Sequence, residues 1–182
     1  MTDRLTLVTG NPDKAKLLEK YLGIPVESAA LDLDEIQSLN VREIIEKKAR
    51  EAYRQLNKPV VVDDVSFVID DLNGLPGPFI KWFSQSLGYE GLCRLADSSV
   101  SREATIEVAL GYFDGTTFMP FVGTSTGTIA EHAKGERGFG FDAIFICDGY
   151  KVTRGEMSEA DYHKTSARRM AIELLKGYLE QK

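Results

Sequence analysis

Val60-Val61-Val62-Asp63-Asp64-Val65-Ser66-Phe67 is the stretch on which the fold turns. Three β-branched residues in succession read as a buried strand. That strand is expected to end in the two aspartates. In an extended backbone neighbouring side chains leave on opposite faces, so Asp63 and Asp64 have different tasks. Carboxylates at the C-terminal end of a buried strand are one way to hold Mg²⁺ for phosphate chemistry. A turn is the other reading, because Asp also closes strands through local hydrogen bonds.

Upstream, Leu5-Thr6-Leu7-Val8 reads as a short strand. It runs through Thr9-Gly10-Asn11-Pro12-Asp13-Lys14 into a helical pattern carried by Leu17, Leu18, Tyr21 and Leu22. Pro12 suits the first turn of that helix and Gly23 its end. Free N–H groups at a helix start favour an anion, and Gly10 lets the backbone approach it. Lys14 stands one turn in, within reach of a phosphate. A single glycine is weaker than a full phosphate loop, and Gly-Lys-Ser/Thr is absent, so turn geometry alone is an equal alternative. Residues 24–30 read as a second strand. The acidic connector after it is either a solvated loop or the source of a second metal carboxylate, Asp34 or Glu35. Residues 40–56 form the first long helix, with a capping-box-like start at Asn40 and Glu43. Val41, Ile44, Ile45, Ala49, Ala52 and Leu56 make its apolar stripe. Lys47, Lys48 and Arg50 read as a solvated face from which one cation can point into a cleft.

Downstream, residues 66–72 read as a paired strand and Asn73-Gly74-Leu75-Pro76-Gly77-Pro78 as a loop. A helix over 79–87 carries Phe79, Trp82 and Phe83, and a short helix follows over 89–96. A strand over 102–113, a turn at Asp114-Gly115 and two strands over 116–123 and 124–130 make the middle antiparallel. A charged, glycine-rich segment then leads to Phe139-Gly140-Phe141-Asp142 and a strand over 143–146. An aromatic face stacks on a nucleobase and a carboxylate accepts from ring N–H groups. A glycine turn flanked by core phenylalanines is the competing reading. Ser158 begins the final helix, with Asp161 at the capping position, and the helix is expected to continue to about residue 179. Its first turns carry His163, Lys164, Arg168 and Arg169. Cations there oppose the helix dipole, so the readings are an anionic ligand or a solvated face.

Strand–helix ends around an antiparallel middle give a mixed α/β (α+β) class: an elongated central mixed sheet, helices at both ends, and two lobes around a nucleotide cleft. The 182 residues read as one domain, 1–182. The net charge of −6 argues against broad binding to nucleic-acid backbone, but not against one small anion. No apolar run approaches a membrane span, and the N-terminus has no signal-peptide pattern. Cys93 and Cys147 give neither a disulfide framework nor a metal-ligand spacing, which suits a cytoplasmic protein. His132 and His163 are too few for a multi-histidine zinc site.

Each signal is weak by itself, but their order is specific. Thr9-Gly10-Asn11-x-x-Lys14, Asp63-Asp64, Gly74-Leu75-Pro76-Gly77-Pro78-Phe79-Ile80-Lys81-Trp82-Phe83, Phe139-Gly140-Phe141-Asp142, Gly155-Glu156-Met157 and a Ser-x-Arg helix together resemble the inosine triphosphate pyrophosphatase family over nearly the whole chain. The resemblance implies Mg²⁺-dependent cleavage of non-standard purine nucleoside triphosphates (ITP, dITP, XTP) to monophosphate and pyrophosphate, a house-cleaning of the nucleotide pool. It implies a homodimer. Carried over, Thr9, Gly10, Asn11 and Lys14 hold the triphosphate and Lys48 touches phosphate. Glu35 and Asp64 bind the metal, and Asp64 also takes a proton from the attacking water, with Asp63 beside it. Phe139 stacks on the base beside Gly140 and Phe141, and Asp142 sits near the base edge. Lys164 and Arg168 complete the substrate set.

The final helix departs from the family pattern. Tyr162 stands at the usual lysine position and Ala167 at the usual histidine, while Ser166 and Arg168 match. Lys164 lies about half a helical turn from the usual lysine. Phe141 stands where Trp or Tyr is common, Leu17 where Glu is, and Val65 where Ser is. A relative with shifted base preference, and a nucleotide-binding sensor without turnover, are therefore the alternatives.

Overall fold

A computed structural model describes residues 4–98, 101–138 and 140–182. Seven strands form a mixed sheet, and five α-helices accompany it among the described residues. The chain divides into two compact units, and the long strands β3 (Val60–Ile69), β5 (Glu103–Phe113) and β6 (Phe118–Ile129) each contribute to both.

The first unit takes Met1–Asp64, Val108–Gly123 and Arg168–Lys182. Here β1 (Leu5–Val8) lies between β2 (Val26–Ala29) and β3, parallel to both. The predicted second strand is thus shorter than residues 24–30. Helix α1 (Pro12–Leu22) ends at Gly23, whose φ of 73° is the left-handed conformation that suits glycine at a helix end. Helix α2 (Val41–Leu56) starts at Asn40, but the expected capping box does not form. Asn40 Oδ1 accepts from Arg42 N at 3.0 Å, and Glu43 is drawn to Ser38 Oγ at 2.9 Å. The apolar stripe of α2 is buried as its spacing predicts: Val41, Ile44, Ile45, Ala49 and Ala52.

Strand alternation sorts the core of this unit into two groups. Leu5, Leu7, Val61, Leu110 and Tyr112 pack with Leu18 of α1 and with Ala171, Ile172 and Leu175 of α5 (Ala167–Glu180). Val8, Val60, Val62, Ala109 and Phe113 pack with α2. Val60 to Val62 are all fully buried because the strand is covered on both faces.

The second unit takes Val65–Glu107 and Thr124–Ala167. β3 does not end at the aspartates. It continues to Ile69, and its far half pairs antiparallel with the two-residue β4 (Pro76–Gly77), Phe67 opposite Gly77. The separate strand over 66–72 therefore merges into β3 and a short 3-10 turn at Asp70–Leu72. The two helices over 79–87 and 89–96 are joined as α3 (Ile80–Leu95), kinked at Gly88 where φ is 66°. Trp82 of α3 is exposed. Likewise the two strands over 116–123 and 124–130 are one strand, β6, since Gly123 stays in the strand and takes no positive φ. β6 pairs antiparallel with β7 (Phe145–Cys147), which begins two residues later than predicted. At Gly127 a Cβ would come 2.1 Å from Ile146 O, so this glycine admits the β7 backbone. Phe67 packs edge-on against Phe145, with ring centroids 5.8 Å apart.

The predicted final helix is broken. α4 (Glu159–Lys164) starts at Ser158, whose Oγ accepts from Asp161 N at 3.2 Å. It stops at Thr165, and α5 begins at Ala167. Thr165 Oγ1 donates to Asp161 O at 2.9 Å and accepts from Arg154 Nη1 at 2.7 Å, bonds that compete with helix continuation. His163 and Lys164 thus sit at a helix C-terminus, where cations are favourable, and their placement there needs no anion.

Candidate functional site

Val8 pairs with Val62, and just beyond that pair the two parallel strands part. β1 gives way to Thr9, while β3 goes on to Asp63 and Asp64. Open α/β sheets bind ligands at the carboxyl ends of parallel strands, where loops and helix N-termini gather. Thr9 N donates to Ala29 O at 2.9 Å, which anchors the loop to the end of β2. Asn11 N donates to Thr9 Oγ1 at 3.1 Å, and Asn11 Oδ1 caps α1 by accepting from Asp13 N at 3.0 Å. Gly10 is exposed, and a Cβ there would meet no atom within 4 Å.

The alternation that sends Val61 toward α1 and α5 sends Asp63 the same way, and Asp64 toward α2. The contacts follow suit. Lys14 Nζ of α1 donates to Asp63 Oδ2 at 2.8 Å, and Arg168 Nη1 of α5 donates to the same oxygen at 2.7 Å. Lys48 Nζ of α2 donates to Asp64 Oδ2 at 3.3 Å, Glu35 Oε1 at 2.9 Å and Asp63 O at 3.4 Å. Thr9 to Lys14, Glu35, Lys48, Asp63, Asp64 and Arg168 therefore all belong to the first unit, gathered from segments more than a hundred residues apart.

Burial pushes the Asp63 carboxyl up, but the charges of Arg168 and Lys14 outweigh it and leave it below its ordinary value. Burial likewise pulls the Lys48 ammonium down, while Asp64 and Glu35 more than compensate and raise it. The result is a small array of alternating charge in which every carboxylate already has a cation. A polyanion can take over those cations without any charge being left bare, provided a further cation joins the carboxylates.

Among the described residues, no group of three or more Asp, Glu, His or Cys gathers into a ready cation cage. Glu35 and Asp64 nevertheless converge, since one oxygen of each meets the same ammonium of Lys48. Two hard carboxylate oxygens sharing one cationic position suit a small divalent ion that keeps part of its water shell.

The remaining candidates lie in the second unit. Gly140, with φ 55°, opens a 3-10 turn over Gly140–Ala143. Phe141 tilts against Phe67 with centroids 5.0 Å apart. Asp142 is buried, and Arg154 Nε donates to its Oδ1 at 2.7 Å while Tyr162 OH donates to its Oδ2 at 2.9 Å. Phe139 lies outside the described residues. Lys164 is exposed at the last position of α4. The sequence reading missed Arg154. Its only local signal is a guanidinium inside Thr153-Arg154-Gly155, and nothing in that tripeptide tells a buried arginine from a solvated one.

Residues 5–178 match the profile of the Ham1 family. The inosine triphosphate pyrophosphatase of Yarrowia lipolytica is 39% identical over 98% of this chain and 96% of that protein. The dITP/XTP pyrophosphatase of Methanopyrus kandleri is 36% identical over 93% of each. The solved structure of the Staphylococcus aureus Ham1 protein superposes with a TM-score of 0.87 at 26% identity, covering 98% of both chains. With a profile match across almost its full length and relatives this similar, the chain belongs to the Ham1 family.

Proposed function

We propose that this protein hydrolyses non-standard purine nucleoside triphosphates, ITP, dITP and XTP, to the monophosphate and pyrophosphate, and so cleanses the nucleotide pool. The observation that carries this reading is the convergence of Lys14, Lys48 and Arg168 on adjacent carboxylates at the ends of parallel strands. The names of its relatives, inosine triphosphate pyrophosphatase and dITP/XTP pyrophosphatase, supply the substrate class.

In this reading the loop from Thr9 to Lys14, with Lys48 and Arg168, binds the triphosphate and offsets its charge. Asp64 orients a water toward the α-phosphorus and accepts its proton. The water oxygen bonds to the α-phosphorus as the bond from that phosphorus to the bridging oxygen breaks, and pyrophosphate leaves. Asp63 holds Lys14 and Arg168 at the positions from which they meet phosphate. Glu35 and Asp64 would hold Mg²⁺, which would neutralise charge on the phosphates. Gly140, Phe141 and Asp142 form the turn that meets the base, with Phe139 and Lys164 contributing to the substrate set.

The whole chain works as one domain in this reading, in a cytoplasmic homodimer acting on free nucleotide. The net charge of −6 favours a single small anion over a nucleic-acid backbone. Light scattering on the purified protein tests the dimer. A shifted base preference is the second reading, favoured by Tyr162 on the Asp142 carboxylate.

The deciding experiment incubates the protein with Mg²⁺ and ITP, XTP, GTP, ATP, UTP or dTTP and identifies the products. Monophosphate plus pyrophosphate, fastest from ITP or XTP, is expected. Diphosphate plus orthophosphate would sink the cleavage site, and tight binding without products would make the protein a sensor.

A further inference from the structure

Gly138 has φ 82°, and a Cβ there would stand 2.1 Å from Asp142 Oδ2 and 2.9 Å from Tyr162 OH. The backbone at Gly138 therefore lies directly against the Tyr162–Asp142 hydrogen bond, at a distance that only glycine tolerates. The segment before it is bolted to the turn that carries Arg154. Thr153 Oγ1 donates to Lys134 O at 2.7 Å, and Arg137 N donates to Gly155 O at 3.1 Å. Arg137 Nε donates to Met157 O at 2.9 Å.

Arg154 has little freedom. Its Nε meets Asp142 Oδ1, its Nη1 meets Thr165 O at 3.1 Å and Thr165 Oγ1 at 2.7 Å, and its guanidinium lies 4.2 Å from the centre of the Tyr162 ring. The ring face so fixed aims the phenol at Asp142 Oδ2, the oxygen nearest Gly138. Burial and the neighbouring carboxylate hold the Tyr162 phenol above its ordinary value, so it remains a donor at neutral pH.

We propose that Arg154 and Tyr162 are positioning residues which lock Asp142 beneath the Gly138 turn, and that the Tyr162 hydroxyl thereby sets base selectivity. Asp142 then acts mainly as an anchor for the turn, with its oxygens engaged by Arg154 and Tyr162, and the discriminating surface is the turn it holds. The inference rests on the reading of Gly140 to Asp142 as the base-binding turn.

The test compares wild type with Tyr162→Phe on ITP, XTP, GTP and ATP, with Mg²⁺ present. Phe keeps the ring beneath Arg154 and removes only the donor. The KM for ITP is expected to rise roughly threefold to tenfold, the weight of one hydrogen bond, while kcat stays within about twofold. The preference for ITP over ATP in kcat/KM narrows by the same factor. Arg154→Lys keeps the buried charge but loses the fork and the ring contact, and the same narrowing is expected. Unchanged preference in both variants, with a clear preference in wild type, overturns the proposal and leaves the base-binding reading standing. Equal rates on all four nucleotides in wild type overturn that underlying reading instead. A uniform fall in kcat on every substrate, alongside a lowered thermal midpoint, would make the role merely structural and also overturn the proposal.

Discussion

The two charged clusters of this protein are built from the same materials and differ in access to water. Around Asp63 and Asp64 the carboxylates are held by side chains that remain partly exposed: Lys14 is 35% exposed and Arg168 22%. Around Asp142 both partners of the ion pair are closed in, Arg154 at 6% and Asp142 at 7%. Water reaches the ammonium of Lys14 and the guanidinium of Arg168, so these cations can exchange a carboxylate for a phosphate, while Asp63, itself only 5% exposed, needs another cation when they leave. A closed pair cannot, because removing either partner strands a charge in low dielectric. Charge alone therefore does not mark a site of chemistry. The cations of the first cluster are open to a new partner, and Arg154 in the second is not.

That contrast can be broken most directly at Asp64. Asp64→Asn is expected to lower kcat by about two to four powers of ten, with nucleotide binding retained in an equilibrium titration. Near-normal turnover would remove Asp64 from the mechanism and the chemistry from the open cluster. Next come the two anchoring carboxylates. Asp142→Asn leaves Arg154 buried without its counter-charge and is expected to cost about 3–5 kcal/mol in urea unfolding. Asp63→Asn leaves two cations that water can reach, and about 1–3 kcal/mol is expected. If Asp63 proves the costlier, exposure is the wrong basis for the contrast.

Lys48→Met is a milder probe. It removes one cation shared by Glu35 and Asp64. The KM for ITP is expected to rise about tenfold, with little change in unfolding free energy. Unchanged KM would take Lys48 out of the phosphate grip.

The smallest effect belongs to an exposed pair in neither cluster. Lys182 and the Thr117 and Thr116 amides hold the Asp114 carboxyl at about 2, below its ordinary value. A depressed carboxyl stabilises the fold above the unfolded value near ~3.9 and loses that contribution as pH falls through the folded value. Asp114→Asn should therefore lower the thermal midpoint slightly at neutral pH and flatten its decline between about pH 4 and 2. An identical acid limb in the variant would contradict this.

Much of the unit around Val60 to Asp64 was legible because its signals are local. Three β-branched residues in a row suit a buried strand, and Pro12 and Gly23 mark the two ends of α1 from their own backbone preferences. The stripe of α2 is a spacing, and spacing survives folding. The breaks were harder. β3 passes through the aspartates to Ile69, since pairing with β4 decides where it ends, and that partner is only two residues long. The gap between α4 and α5 depends on Arg154 reaching Thr165, a contact across ten intervening positions.

The sequence by itself determined β1, the buried start of β3, the apolar stripe of α2 and the opposed directions of Asp63 and Asp64, since periodicity acts over a few residues. Tertiary structure alone decided which cation meets which carboxylate. Arg168 reaches Asp63 across 105 positions, and Arg154 is buried against Asp142 rather than solvated. The reason is physical. The strength of a charge pair depends on the dielectric around it, and only the packed chain sets how much water reaches each group.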